Sequence, residues 1–146
     1  MRFKIISVGR KRADPASPLV EDYLARIAKF LPVDDVVLKP DNDQRIAARM
    51  LKESKKSPIL VALDERGREQ TSHGFAKLIS SWMNQGIFEV TFFIGGADGL
   101  PKEIGQRATT RLALSQMTLP HRLARLVLTE QIYRALCIIR GVPYQK

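Results

Sequence analysis

One cysteine and two histidines are all that this sequence offers to a disulfide or a soft metal. Cys137 has no partner for an internal bridge. It lies in an apolar run with helical spacing, where a thiol behaves as a small buried hydrophobe, and this usage suits a reducing compartment. His73 and His121 are separated from Cys137 and from each other by long stretches, so no zinc-type ligand spacing is present and no metal site is expected. Long apolar runs are missing too. None approaches the roughly 20 residues that a membrane span needs. The basic start, MRFKIISVGRKR, has too short an apolar run for a signal-peptide core, and no small-residue cleavage site follows it. These absences together lead to the expectation of a soluble, cytoplasmic protein. There is no internal repeat, no low-complexity segment and no serine nucleophile elbow.

What is present suffices for a real core. The chain has 146 residues, 45% of them apolar, which fits one domain spanning 1–146. The net charge of +9 is unevenly placed. Residues 1–12 hold five basic and no acidic residues, and residues 115–146 hold five basic and one acidic, while the stretch between them carries 14 of each sign. The whole excess therefore sits at the two ends. If the fold brings them together they make one positive face, the footprint expected for a phosphate backbone; if not, they are solvated surface.

The pattern along the chain alternates. FKIISV (3–8) reads as a buried strand, followed by a Pro- and charge-rich loop. Ser17-Pro18 reads as an N-cap with proline at the first helical position, and Val20, Tyr23, Leu24, Ile27 and Leu31 recur at helical spacing. VDDVVL (33–38) reads as a second strand. Asp41 or Asp43 is expected to cap the next helix, with Ile46, Ala47, Met50 and Leu51 as its stripe. ILVALD (59–64) is apolar almost throughout, as a parallel strand covered on both faces would be, and Asp64 to Gly67 reads as a turn. Thr71 or Ser72 caps a helix that ends at Gly86. VTFFI (90–94) is the most strand-like run and ends at Gly95-Gly96. A short helix through Arg107, a short strand at 112–114 and a long C-terminal helix complete an α/β fold, a mostly parallel sheet flanked by helices. Ligands on such sheets sit at the carboxyl ends of the strands. Those ends are Gly9-Arg10, Leu63 to Glu65, Ile94 to Gly96 and Ser115 to Met117.

Three features carry chemistry. Gly95-Gly96-Ala97-Asp98-Gly99 allows close backbone approach, but it is neither a P-loop nor a dinucleotide fingerprint. It is read as a ledge for a nucleotide-like molecule or as a tight turn before a helix. The loop Ser115 to Pro120 carries no charge, so it either recognises a ligand through its own N–H and C=O groups or simply connects two elements. His121 follows at a helix N-terminus, where a general base, a phosphate contact and an ordinary surface histidine are all open readings. Beyond it, Arg122 and Arg125 share a helix face, and Glu130 and Arg134 stand four apart, as an ion pair that aims the guanidinium or as a surface pair. The rest of this helix is apolar nearly all round, so it needs a second burial surface. A second copy of the chain would provide it, and a homodimer is expected.

FFIGGADGL, LALSQMTLPHRLARLVLTEQIYRA and IIRGVPYQK, with KIISVGR and VALDERG, cover essentially the whole chain. Together they resemble the ribosomal RNA large subunit methyltransferase H family, small members of the SPOUT class of RNA methyltransferases. The resemblance implies a C-terminal trefoil knot and S-adenosylmethionine as cofactor, held in a bent shape mostly by backbone contacts. Carried over, the cofactor residues are Leu63, Gly96 and the loop Ser115, Gln116, Met117, Thr118, Leu119 and Pro120, with Gly95 beside them in the ledge. The implied reaction is N3-methylation of a pseudouridine in a 23S rRNA stem-loop on the assembled ribosome, by a homodimer whose last helix crosses the interface. His121, Arg125, Tyr133, Arg134 and Tyr144 are then the candidates for proton removal, anion stabilisation and base contact, with His121 first for the proton. Gln145 follows the tail tyrosine where some members of the family carry histidine. Another RNA such as tRNA as substrate, or a non-catalytic ribosome-binding module, are the alternative readings.

Overall fold

A computed structural model describes residues 1–10 and 14–144. Lys11 and Arg12 of the basic N-terminal cluster and the tail residue Gln145 lie outside the described residues. The elements run β1 (Arg2–Val8), α1 (Ser17–Ala28), β2 (Val33–Leu38), α2 (Asp43–Glu53), β3 (Ile59–Glu69), α3 (Ser72–Asn84), β4 (Glu89–Ile94), α4 (Lys102–Arg107), β5 (Thr110–Ala113) and α5 (His121–Arg140). The alternation expected from the sequence is the alternation observed.

The five strands form one sheet in the order β2-β1-β4-β3-β5, and every pairing in it is parallel. β4 is buried along its whole length, which follows from its central place and its EVTFFI sequence. Side chains alternate across the pleat. Phe3, Ile5, Val90, Phe92 and Ile94 face one side, where they meet Ile27 of α1, Phe75, Ile79 and Trp82 of α3, and Leu128, Ile132 and Leu136 of α5. Ile6, Val8 and Phe93 face the other, under Ile46 and Met50 of α2 and Ile104 of α4. The long C-terminal helix therefore lies between α1 and α3 on one face of the sheet.

Local capping differs from expectation at two helices. α1 starts at Ser17 itself, with Ala16 at the N-cap and Pro18 in the first turn. Asp14 sets this start: its carboxylate accepts the Ala16 N–H at 2.9 Å and its carbonyl accepts the Ser17 N–H at 3.1 Å. At α2 the cap is Asn42, not Asp41 or Asp43. Its side chain accepts the Arg45 N–H at 2.9 Å, while Asp41 is engaged by the Asn42 N–H and by Arg45 and Arg49. Thr71 caps α3, accepting the Gly74 N–H at 2.9 Å. Gly86, at φ 74°, ends that helix one residue past its C-cap Gln85, with Gly86 N–H on the Met83 carbonyl and Ile87 N–H on the Trp82 carbonyl.

Asp64 to Gly67 is not a terminal turn. β3 runs on to Glu69, and the irregularity between Leu63 and Arg68 sets both of these residues opposite Leu112 of β5. Asp64 accepts the Arg66 N–H at 2.9 Å, a local bond that takes this N–H out of the ladder before pairing resumes.

Candidate functional site

The carboxyl ends of β3, β4 and β5 open into a cleft of about 1030 Å³. Leu63 forms one wall, the Gly95–Gly99 ledge a second, and the loop after β5 the third. The ledge is fixed by a short bridge between Gly96 and Gly99, with the Gly99 N–H on the Gly96 carbonyl at 3.0 Å. A Cβ on Gly95 would stand 2.5 Å from the Leu100 nitrogen, so only glycine lets the chain fold back here. Gly95→Ala is expected to cost about 1–3 kcal/mol of stability in urea denaturation, as overpacking against rigid backbone does. A midpoint equal to that of the unsubstituted chain would show the ledge to be loose.

In the loop, the Met117 N–H bonds the Ser115 hydroxyl at 3.0 Å. Among the described residues, no hydrogen bond uses the backbone of Gln116, Thr118 or Leu119. These donors and acceptors are left to a ligand or to solvent. Of the nine residues expected here, Leu63, Gly95, Gly96, Ser115, Met117, Thr118, Leu119 and Pro120 line the cleft. Gln116 lies in the same loop but is exposed and does not line it. Asp64, Arg66 and Arg111 line it without having been singled out as site residues. The Arg66 N–H, aided by the guanidinium groups of Arg66 and Arg111, holds the Asp64 carboxyl below its usual range.

His121 begins α5 and lines this cleft and also a second, smaller cavity of about 220 Å³ at the ends of β1 and β2. Its Nε2 lies 3.3 Å from where a Cβ on Gly9 would be. One turn on, Arg125 is only 4% exposed. Its guanidinium pairs with Asp35 of β2 and stands 3.9 Å from Asp14, so one buried cation ties α5 to β2 and to the segment after β1. Arg125 Nε and Asp35 Oδ1 have no partner among the described residues. The sequence signal was there, an aspartate pair within a strand and an arginine on the apolar face of a helix, but their meeting is a long-range fact. The expected positive face is found in part: Arg10 from one end of the chain joins Arg122 and Arg125 from the other around this cavity.

Tyr133, Arg134 and Tyr144 form a separate cluster. Arg134 Nε bonds Glu130 at 2.7 Å, and its guanidinium lies 4.9 Å from the Tyr144 ring centre. The Tyr133 and Tyr144 rings meet edge to face at 4.7 Å. From α1, the Tyr23 hydroxyl lies 3.2 Å from that of Tyr144, and Arg26 lies over both Tyr23 and Tyr133. Neither Tyr23 nor Arg26 was among the expected site residues. Burial, the Tyr23 hydroxyl and the Glu130 charge push the Tyr144 phenol well above its ordinary range, so it is neutral. Arg134 stands thirteen positions after His121 along the helix, about 20 Å at 1.5 Å per residue. Within one chain, then, His121 and Arg125 stand at one end of α5 and the other three candidates at the other end.

No group of three or more potential metal ligands occurs among the described residues, and no described helix is long and apolar enough to cross a membrane.

A parallel α/β sheet whose strand ends open into a cleft with a glycine ledge and a charge-free loop defines a protein built to hold a nucleotide-sized ligand. The chain belongs to the SPOUT methyltransferase family: residues 1–145 match the family described as predicted SPOUT methyltransferase. It is 41% identical to the protein named Ribosomal RNA large subunit methyltransferase H of Anaeromyxobacter dehalogenans (strain 2CP-C), with 100% of both chains covered. To the protein of the same name in Polynucleobacter asymbioticus it is 38% identical, over 100% of this chain and 99% of the relative. Among solved structures, a probable methylase family protein from Haemophilus influenzae Rd KW20 shares the fold at a TM-score of 0.62 and 10% identity, covering 99% of this chain and 70% of that one.

Proposed function

We propose that this single-domain protein acts in the cytoplasm as a homodimer that methylates N3 of a pseudouridine in a 23S rRNA stem-loop on the ribosome, with S-adenosylmethionine as donor. The names of its full-length relatives support the rRNA substrate. The observation that carries the reading is the meeting of ledge, loop and histidine: Gly96, the open backbone of the Ser115–Pro120 loop and His121 face one cleft.

The cleft fits such a cofactor. Leu63, Leu119 and Ala124 give apolar walls for an adenine ring, and the unbonded amide groups of the loop can recognise its edge. When bound, the cofactor supplies a methyl group already activated on a sulfonium. The chain's own residues have the remaining work. The N3 imide is a poor nucleophile while protonated, and His121, on the wall of the cleft, takes that proton. Arg125 is committed to Asp35 and Asp14, so it positions the first turn of α5 and lends positive charge nearby. The remaining contribution is holding the two reactants in line.

Tyr133 and Arg134 lie too far along α5 to serve the same copy's His121, and Tyr144, in the tail after α5, packs against them. They act at the site of the second copy, where Arg134 and Tyr144 contact the RNA. Leu123, 47% exposed on the outer side of α5, supports burial of this helix against a partner. We further propose the knotted threading of the C-terminal segment, supported by the way β5 pairs with β3 while α5 returns to the far side of the sheet.

Calorimetry with S-adenosylmethionine tests the cofactor assignment: one site per chain is expected, and no binding by the unsubstituted chain rejects it. Arg134→Ala is expected to lower methyl transfer at least about 100-fold, as loss of a charge-stabilising donor does, while the fold and the dimer persist by circular dichroism and sedimentation. Unchanged turnover would remove Arg134 from the site.

A further inference from the structure

We propose that the cavity behind His121 is a seat for one phosphate of the RNA backbone beside the target nucleotide. This rests on the RNA-methylating reading above and adds a second site to it. At about 220 Å³ the cavity is smaller than the roughly 300–1,000 Å³ of pockets that enclose a whole small ligand. It has room for a phosphate with part of its sugar and none for a second cofactor.

Three arginines border a lining that is otherwise largely apolar. Arg10 comes from the end of β1, Arg122 from the first turn of α5 and Arg125 from the next turn. Asp14, the one acid on the wall among the described residues, is already 3.9 Å from Arg125. Arg125 is 4% exposed, and its Nε has no partner among the described residues. Its guanidinium is committed to Asp35 and Asp14, so it braces this wall, while the exposed Arg10 and Arg122 are the cations free to meet a phosphate oxygen. The opening turn of α5 adds to this. Pro120 at its N-cap offers no capping side chain, so the first N–H groups of a 20-residue helix remain to be bonded. Gly9 has no side chain, and that keeps the space beside His121 open.

The position has a mechanistic sense. His121 is the wall shared by the cavity and the cofactor cleft. A phosphate anchored on the far side of that histidine would fix the register of the RNA at the atom where the proton leaves. Arg10 from one end of the chain meets Arg122 and Arg125 from the other here, and a phosphate contact needs charge rather than sequence.

The test has two arms. In amide NMR of the full chain, inorganic phosphate is expected to shift Gly9, His121 and Arg122 saturably, and chloride at equal ionic strength is not. Equal shifts with both salts would overturn the site. In the second arm, the Arg10→Gln/Arg122→Gln chain is assayed on ribosomes. The expected result is a KM raised about tenfold and a log–log salt dependence of binding shallower by about one, with cofactor affinity unchanged. An unchanged KM and slope, when the unsubstituted chain is active, overturns the phosphate seat alone. An unsubstituted chain that binds phosphate but methylates no RNA overturns the RNA assignment through the reading it rests on. Saturation by phosphate with no effect of the double substitution on RNA would mark an adventitious ion only and also overturns it.

Discussion

Replacing His121 by asparagine is expected to lower kcat for methyl transfer by about 10²–10⁴-fold, the usual worth of a positioned general base. Asparagine keeps a hydrogen-bonding side chain of similar reach but cannot accept the N3 proton. Because His121 lines the cleft but belongs to neither the ledge nor the loop, S-adenosylmethionine affinity should stay within about threefold by calorimetry, well under the tenfold that 1.4 kcal/mol represents. A loss of cofactor binding equal to the loss of rate would make His121 a binding residue. Undiminished kcat would return it to the ordinary surface histidine that its sequence position also allowed.

Arg125→Met is expected to cost about 3–5 kcal/mol of stability, the range for breaking a buried ion pair from one side. The reason is the pair of carboxylates left behind. The side chains of Asp35 and Asp14 are 11% and 10% exposed, and without Arg125 neither has a charge partner among the described residues. Methionine fills most of the arginine's volume, so the loss reports the stranded charges more than a cavity. Adding Asp35→Leu should recover much of it, since an apolar replacement of a whole buried pair is often neutral. Urea denaturation of the three chains measures both effects. A loss under about 1 kcal/mol in Arg125→Met would show that water already reaches this pair, as at surface ion pairs.

Much of the fold was legible because each element announces itself locally. The apolar run 90–94 is the buried centre of the sheet, and the helical spacing of Phe75, Leu78, Ile79 and Trp82 marks a face whose Phe75 and Trp82 rings meet Phe92. The candidate cofactor residues were legible for a related reason: strand ends and charge-free loops are contiguous in sequence, and the cleft is built from such contiguous pieces. What was not legible depends on distance or on competition between neighbours. In the Asp41-Asn42-Asp43 tract any member has cap chemistry, and Asn42 takes the role because Asp41 is held by Arg45 and Arg49. Asp64 to Gly67 has turn composition, yet pairing with Leu112 and Ala113 of β5 resumes at Arg68 and keeps it within a strand. The buried triad of Asp14, Asp35 and Arg125 spans three segments with no shared local signal. The split of the candidate catalytic residues follows from the straight length of α5, which the sequence contains but which a list of reactive side chains hides.

Methyl transfer to ribosomal RNA is measured by the passage of labelled methyl from S-adenosylmethionine to ribosomes lacking the modification. Free rRNA and tRNA serve as parallel substrates. Label is expected in 23S rRNA when whole ribosomes are supplied, at a single pseudouridine. Label in tRNA alone, or none in any RNA from a chain that binds the cofactor, would contradict transfer to ribosomal RNA.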